Sequence, residues 1–393
     1  MISIDIDKIR NDIKDYGDKI FLNSAGSSLT PKSVSAAIKR HLDLEEHMGG
    51  YEAANLVSDD ISNFYKNAAQ MLGCSPRNIA FTNSATDSYL RALLSFDFKK
   101  NDVIITTDDD YASNYIHFIS LQKKSGVRVL RIENLKNGDL NIDSFRTLVK
   151  DTNPKLVSVS HIPTNSGLIQ DVKPIGDICQ KQNIPFLLDA CQSAGQLKLD
   201  VNELNCDFLT VTGRKFLRGP RGTGLLFISD KLLDSGIYSL MIDGFGAIWN
   251  QENDYDMISG AGRFEMWEKS YALQLGLSEA IRYANSIGLD SIESYNEKLM
   301  THFRNNLSHI SGVQMYDRGS SQGNILTFRK DGKSLDEIKT VLDKNKILYS
   351  VSKKEWGFID FNKKNVDWVV RLSPHYFNTL TEIDRVSDVI ENI

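Results

Sequence analysis

The sequence predicts an α/β fold built on a mainly parallel sheet, and three observations carry that expectation. Seven short apolar runs, rich in Val, Ile, Leu and Phe, recur between about residues 60 and 230. Longer stretches with helical spacing separate them, the alternation that produces α/β layers. Polar residues gather just after the runs end, where open α/β sheets hold their ligands.

The elements follow in order. The opening "MISIDIDKIRNDIKDYG" is charged throughout, lacks the apolar core of a signal peptide and reads as an amphipathic helix. The strands are "NIAFT" (78–82), "DVIITT" (102–107), "VRVLRI" (127–132), "LVSVSHI" (156–162), "PFLLDA" (185–190), "DFLTVT" (207–212) and "GLLFI" (224–228). Their near-continuous apolarity is that of strands covered on both faces. Between them, "SDDISNFYKNAAQMLG" and "KPIGDICQKQN" carry helical spacing. After about residue 286 the style changes. A long helix at "SIESYNEKLMTHFRNNLSHI", a strand at "GNILTFR", a helix at "SLDEIKTVLDKNK" and a strand at "DWVVRL" predict a small α+β C-terminal domain. The expected division is a large domain over 18–286 and a small one made from 1–17 and 287–393.

Composition narrows the function. A net charge of −5 leaves no basic excess for a nucleic-acid surface. No apolar run reaches membrane-spanning length, so a cytoplasmic chain with no membrane partner is expected. The four cysteines (74, 179, 191 and 206) lack CxxC pairing, the histidines lack ligand spacing, and no metal is expected. "DDD" at 108–110 reads as a solvated turn and Cys191 as a small core residue.

One constellation carries chemistry. Asp189 ends an apolar run in "LLDACQSAG", and Lys215 follows the next run in "TGRKFLRGPRGTG". Adjacent parallel strands would bring both to one sheet edge. A buried carboxylate needs a cationic partner, so a structural ion pair is one reading. A pyridoxal phosphate site is the other, with the lysine as imine-forming amine and the carboxylate on the pyridine nitrogen. Neighbouring arginines and desolvation would lower the lysine's pKa and free its amine. "FTNSATDS" offers a phosphate cradle, a strand end followed by Ser84, Thr86 and a helix N-terminus. "GPRGTG" has the wrong glycine order for a dinucleotide fingerprint, and Phe216 after Lys215 excludes a P-loop.

Six motifs in order then resemble one family, the class V aminotransferases of the fold-type I pyridoxal phosphate enzymes, which includes cysteine desulfurases, kynureninase and isopenicillin epimerase. They are "FLNSAGSSLTP", "FTNSATDS", "LLDACQSAG", "TGRKFLRGPRGTG", "RFEMWE" and "VVRLSPHYFNT", spread over nearly the whole chain. The resemblance implies a large domain with a mainly parallel seven-stranded sheet, a small α+β C-terminal domain and pyridoxal 5′-phosphate. It implies Lys215 as the Schiff-base lysine, Asp189 as the pyridinium partner and Gln192 on the phenolic oxygen. Ala85 (through its backbone), Thr86 and Thr212 would hold the phosphate, with Arg214 standing where the family usually has histidine. Tyr111 would stack on the ring, Arg371 would clamp the substrate carboxylate, and Thr164 and Asn165 would contact substrate or cofactor. A homodimer with active sites at its interface is also implied. There Glu268 or Ser270 would reach the other subunit's phosphate, and Gly50 and Tyr51 would line the substrate entrance.

The reaction is chosen by one absence and one likeness. Desulfurases of the family carry a nucleophilic cysteine before the arginine strand, whereas "SVSKKEWGFIDFNKKNVDW" has none, which ranks desulfuration below the other readings. "EEHMGGYEAA", "GRKFLRGPRG" and "RFEMWEKS" resemble a subgroup that contains hercynylcysteine sulfoxide lyase. The expectation is therefore a C–S lyase working by β-elimination on a cysteine S-conjugate or sulfoxide, releasing pyruvate and ammonia. An amino-acid aminotransferase or epimerase is the alternative.

Overall fold

The computed structural model describes residues 4–393; residues 1–3 of the expected N-terminal helix lie outside the described residues. That helix forms over Ile6–Asn11, capped by the Asp5 carboxylate, which accepts from the Lys8 N–H at 3.0 Å. Strand β1 (Ile20–Phe21) follows. All seven expected strands of the large sheet form: β2 (Ile79–Thr82), β3 (Val103–Thr106), β4 (Arg128–Arg131), β5 (Leu156–Ser160), β6 (Phe186–Asp189), β7 (Phe208–Thr212) and β8 (Gly224–Ile228). Their order across the sheet is β2-β8-β7-β6-β5-β3-β4.

Two details differ from a uniform, doubly covered parallel sheet. β8 pairs antiparallel with both β2 and β7; the short link over 213–223 turns the chain back beside β7 without the longer crossover a parallel pairing needs. β4 is an edge strand whose Arg128 and Arg131 are exposed, as its two arginines would require. The central strands match the expectation. Ile104, Leu156, Leu187 and Phe208 pack on one face, while Ile105, Val157, Leu188 and Leu209 pack on the other.

The helices leading into β5, β6 and β7 show how local sequence sets the turns. Ile142–Thr152, Lys173–Gln182 and Val201–Leu204 each close on a left-handed asparagine, at Asn153, Asn183 and Asn205 (φ 44°, 56° and 50°). Asparagine tolerates that conformation better than other side chains, and each turn drops the chain into its strand.

Beyond the large sheet, β9 (Ala247–Gln251) and β10 (Asp254–Met257) form a hairpin that presents Ile248 and Trp249 to the outside. β11 (Val313–Met315), β12 (Leu326–Lys330), β13 (Ile347–Leu348), β14 (Ser350–Lys353) and β15 (Trp368–Leu372) complete the chain. A four-stranded antiparallel sheet runs β11-β12-β15-β14. Helices Leu289–Ser308, Leu335–Lys344 and Leu380–Glu391 pack their apolar faces on it through Phe303, Ile338, Ile383 and Val370. β1 pairs in parallel with β13, drawing the first strand to this C-terminal sheet. β9, β10, β11, β13 and β14 escape the sequence reading because they are short and largely lack the continuous apolarity of the central strands.

The aspartate run at 108–110 is not a solvated turn: all three carboxyls are buried. Asp108 pairs with Arg131 at 2.9 Å and with Lys363. Asp109 abuts Asp360, which also takes Arg318 at 2.9 Å and Lys364 at 2.6 Å. These partners lie far along the chain, so the run gives no local sign of them. Burial first, and the facing Asp360 second, push the Asp109 carboxyl well above the ordinary carboxylate range. Such a group binds its proton more tightly folded than unfolded, so its stabilisation is present at low pH and fades as pH rises. Asp109→Asn is expected to melt like the parent near pH 4. From there to about pH 8 it should melt progressively higher than the parent, the gap growing by about 1.4 kcal/mol per pH unit and levelling off above that. Thermal melts across pH 4–9 check this, and a gap that does not widen with pH would refute it.

Candidate active site

A cavity of about 330 Å³ opens at the carboxyl ends of β5, β6 and β7. The strand register sets Ser160 beside Asp189 and Asp189 beside Thr210, so the polar ends of three neighbouring strands share one edge. Past β7 the chain folds into a compact loop. Gly219 N–H donates to Gly213 O at 2.8 Å, and Arg218 N–H donates to Lys215 O at 2.9 Å. This turn aims Lys215 into the cavity and leaves it only 6% exposed.

The three arginines around Lys215 divide their work. Arg214 lines the cavity and donates to Gly26 O, and Arg221 lines the cavity too. Arg218 is fully buried elsewhere, in the left-handed region (φ 59°), with its guanidinium over the rings of Tyr376 and Phe377 at 5.0 and 4.9 Å. It donates to Leu29 O at 2.8 Å and so pins the loop to the N-terminal segment.

Lys215 Nζ lies 5.7 Å from the centre of the Tyr111 ring. Desolvation, the largest cause, lowers its pKa to about 8, and Arg214 and Arg371 push the same way against Cys191 and Asp189. Asp189 Oδ1 accepts from Cys191 N–H at 3.0 Å, and its Oδ2 accepts from Asn114 Nδ2 at 3.1 Å. Gln192 Nε2 donates to Thr164 Oγ1 at 3.0 Å and to Ala25 O at 3.2 Å, while its Oε1 is buried without a protein partner.

At the other end of the cavity, helix Ala85–Leu93 begins with Ala85 and Thr86 on the lining. The first N–H groups of a helix have no intrahelical acceptor and attract anions. Ser84 Oγ already accepts from Asp87 N–H at 3.1 Å, so the hydroxyl named in the sequence is a helix cap as well as a lining group. Gly224 belongs to this cradle: a Cβ there would come 2.6 Å from Ser84 C and 2.8 Å from Ala85 N. Thr212 and Thr223 add hydroxyls.

Arg371 stands behind Thr164, donating from Nη1 to Thr164 O at 2.9 Å, with its Nε buried and unpaired. Desolvation, then Arg214, lowers its pKa to about 10, so it remains a cation at neutral pH that lacks an anion. A carboxylate satisfies that demand. Arg371→Lys is expected to raise KM for the amino-acid substrate about tenfold or more while changing kcat less, since lysine cannot make the forked contact. Steady-state kinetics check this, and an unchanged KM would remove the carboxylate role.

Arg371 is not itself on the cavity lining but reaches it through Thr164, which is, and the remaining expected residues do not line the cavity either. Asn165 donates from Nδ2 to Trp356 O at 2.7 Å, tying β5's following loop to the C-terminal body. Gly50 and Tyr51 sit on the surface helix Gly50–Leu56, with Tyr51 72% exposed. Glu268 is exposed, and Ser270 caps helix Tyr271–Ile287 by accepting from Leu273 N–H at 3.3 Å. Conversely, Asn114, Ser160 and Arg221 line the cavity without having been singled out. For Asn114 the available signal is its position one helical turn after Asp110.

A family model described as Aminotransferase class-V matches residues 20–386. The probable cysteine desulfurase of Pyrococcus abyssi is 27% identical over 395 aligned positions, covering 98% of this chain and 96% of that protein. The apo structure of cysteine desulfurase from Thermococcus onnurineus NA1 matches with a TM-score of 0.90 at 26% identity, covering 100% of this chain and 98% of that one. A protein named C-DES, solved with glycine covalently linked to its PLP cofactor, has a TM-score of 0.85 at 20% identity, covering 98% of this chain and 99% of that one. At that identity the likeness is one of fold. The relatives overturn the expected lyase of cysteine S-conjugates and of hercynylcysteine sulfoxide, because they are named desulfurases, the reading ranked below the others on the missing loop cysteine. A thiol absent from one segment removes one destination for sulfur and leaves the cleavage itself open.

Proposed function

We propose that this chain, which belongs to the class V aminotransferase family and is a pyridoxal 5′-phosphate enzyme of fold-type I, takes sulfur from L-cysteine as a cysteine desulfurase. The observation that carries the reading is the full-length likeness to proteins so named. The cavity supports it, since about 330 Å³ is near the lower end for ligand pockets and suits a cofactor with a small amino acid beside it.

The residues fit the cofactor. Gln192 Oε1 on the cavity lining is buried and unpaired, and the Ala85 and Thr86 N–H groups form an anion cradle. When bound, pyridoxal phosphate supplies an electron sink that makes bonds at the substrate's α-carbon labile. In this reading Lys215 holds the cofactor covalently and then carries the α-proton on Nζ, a task suited to a pKa near 8. Asp189 would hold a protonated ring nitrogen, Gln192 would hydrogen-bond the phenolic oxygen and Tyr111 would lie against the ring. Ala85, Thr86, Thr212 and Arg214 take the phosphate. Arg371 takes the substrate carboxylate, Thr164 orients Gln192, and Asn165 holds the C-terminal body over the opening.

Sulfur then needs an acceptor. Of the four cysteines only Cys191 lines the cavity, and burial pushes its thiol well up and leaves it a poor nucleophile. The proposed acceptor is an external thiol: L-cysteine and a thiol RSH give L-alanine and the persulfide RSSH.

A homodimer belongs to the same reading. Leu240, Met241, Ile248 and Trp249 form an exposed apolar group on and beside the β9–β10 hairpin, suited to a second copy. We assign Glu268, Ser270, Gly50 and Tyr51 to that boundary. The large domain is taken as 18–286 and the small one as 1–17 with 287–393, with β1 leaning on the latter. We assign the chain to the cytoplasm; among the described residues no helix is long and apolar enough to cross a membrane.

The test is alanine formation from L-cysteine by the cofactor-loaded protein, with and without dithiothreitol. Thiol-dependent alanine supports the reading. Turnover of another amino acid with no alanine from L-cysteine would end it.

A further inference from the structure

Asp110 is a buried carboxyl that touches no described cation. Its donors are all neutral: Thr106 Oγ1 and Ser160 Oγ at 2.6 Å, Tyr111 N–H at 2.7 Å and Asn114 Nδ2 at 2.9 Å. A fold seldom buries a carboxylate on neutral donors alone, because an asparagine or an apolar side chain there costs less.

The partners show what the carboxyl arranges. Asn114 has one NH₂ group, and it serves two carboxylates, Asp110 Oδ1 at 2.9 Å and Asp189 Oδ2 at 3.1 Å. Turning that amide over would set its oxygen against both carboxylates, so Asp110 locks the orientation in which Asp189 receives a donor. Asp189 Oδ1 is held by Cys191 N–H, which leaves its remaining lone pairs to the cavity. Ser160, paired with Asp189 across β5 and β6, donates to the same Asp110 oxygen. The Tyr111 N–H also ends on Asp110, so the ring facing Lys215 starts from this carboxyl.

We propose that Asp110 is a positioning residue of the site: through the Asn114 amide it orients Asp189, and through the Tyr111 N–H it orients the ring over Lys215. Its negative charge adds to that of Asp189 at the position assigned to the ring nitrogen. The proposal rests on the cofactor site described under the proposed function.

Burial raises the Asp110 pKa to about 6, against the opposing bonds from Ser160, Thr106 and Asn114. The titratable groups coupled to it are Asp189 on β6, Tyr89 on helix Ala85–Leu93, and Tyr115 on the helix that follows, which Asp108 and Asp109 also face.

Asp110→Asn and Asn114→Leu in the full chain test this, read by three measurements. These are the pH midpoint of the visible cofactor band, kcat and KM for L-cysteine, and the melting of the cofactor-free protein. Asp110→Asn removes negative charge, so the midpoint is expected to fall by about 0.5–1.5 pH units. Both variants are expected to lose kcat about 10- to 100-fold with KM changed less than about threefold. If either variant folds and keeps the parental kcat, or Asp110→Asn keeps the parental midpoint, the proposal falls. A lower melting temperature with both of those values unchanged would make Asp110 merely structural and also overturn it. If the parent protein takes up no pyridoxal phosphate, the proposed function fails first; if it loads normally and the variants match it, only this inference fails.

Discussion

Lys215→Ala is expected to lower turnover by at least on the order of 10³-fold and to leave the protein unable to hold its cofactor covalently. Two roles end in the same amine, holding the cofactor and moving the α-proton, and no other lysine lines the cavity. The variant should nonetheless fold. A lysine whose pKa drops from 10.5 to about 8 on burial destabilises the folded state at neutral pH, by on the order of 3 kcal/mol. That penalty is full below pH 8 and disappears as pH rises through the unfolded value near 10.5. Alanine removes it and loses some packing. The cofactor-free variant is therefore expected to melt no lower than the parent at pH 7. Absorbance after desalting, turnover and melting together check this, and a strongly destabilised variant would mean the lysine serves the fold.

Asp189→Asn is expected to cost about 10²- to 10³-fold in kcat, with a much smaller change in KM. The amide keeps the carboxylate's shape and can still accept from Cys191 N–H, but it supplies no charge to a protonated ring nitrogen. One oxygen becomes an NH₂ group and meets the Asn114 amide as donor against donor, which adds to the loss. A rate within about threefold of the parent would assign Asp189 to the alternative raised by the sequence, a structural pair with a neighbouring cation.

Much of this architecture was legible. The central strands announce themselves because strands covered on both faces must be apolar along their length, and β5, β6 and β7 are buried at every position. Asp189 and Lys215 were legible for the same reason: a charge at the end of such a run needs explaining. β8's direction was less so, since the same apolar run serves either orientation.

Other parts were silent for physical reasons. Asn114 is one polar residue on a helix, and only the fold brings its amide between Asp110 and Asp189. Three consecutive aspartates look solvated because their partners Arg131, Arg318, Asp360, Lys363 and Lys364 come from distant parts of the chain. Arg218 sits in the most suggestive stretch of the sequence, yet it fastens the loop to aromatic rings and takes no place at the cavity. The reaction was misjudged because a missing loop cysteine was weighed as a missing acceptor and three variant motifs were read as a lyase likeness.

The pairing of β1 with β13, continued by the bond from Ala25 N–H to Ser373 Oγ across 348 residues, also sets a timetable. At roughly 5–20 residues per second, a ribosome releases this early segment tens of seconds before its partners exist. β2 to β8 can meet during that interval, whereas Ile20 and Phe21 must wait for the last part of the chain. Arg371 is made just before Ser373, so the proposed carboxylate clamp and the early segment's anchor emerge together. A nascent chain halted after β8 would thus hold Lys215 and the proposed phosphate cradle but lack the residue proposed to grip the amino acid's carboxylate. Under the proposed roles, competence waits until β1 meets β13 and Ala25 meets Ser373.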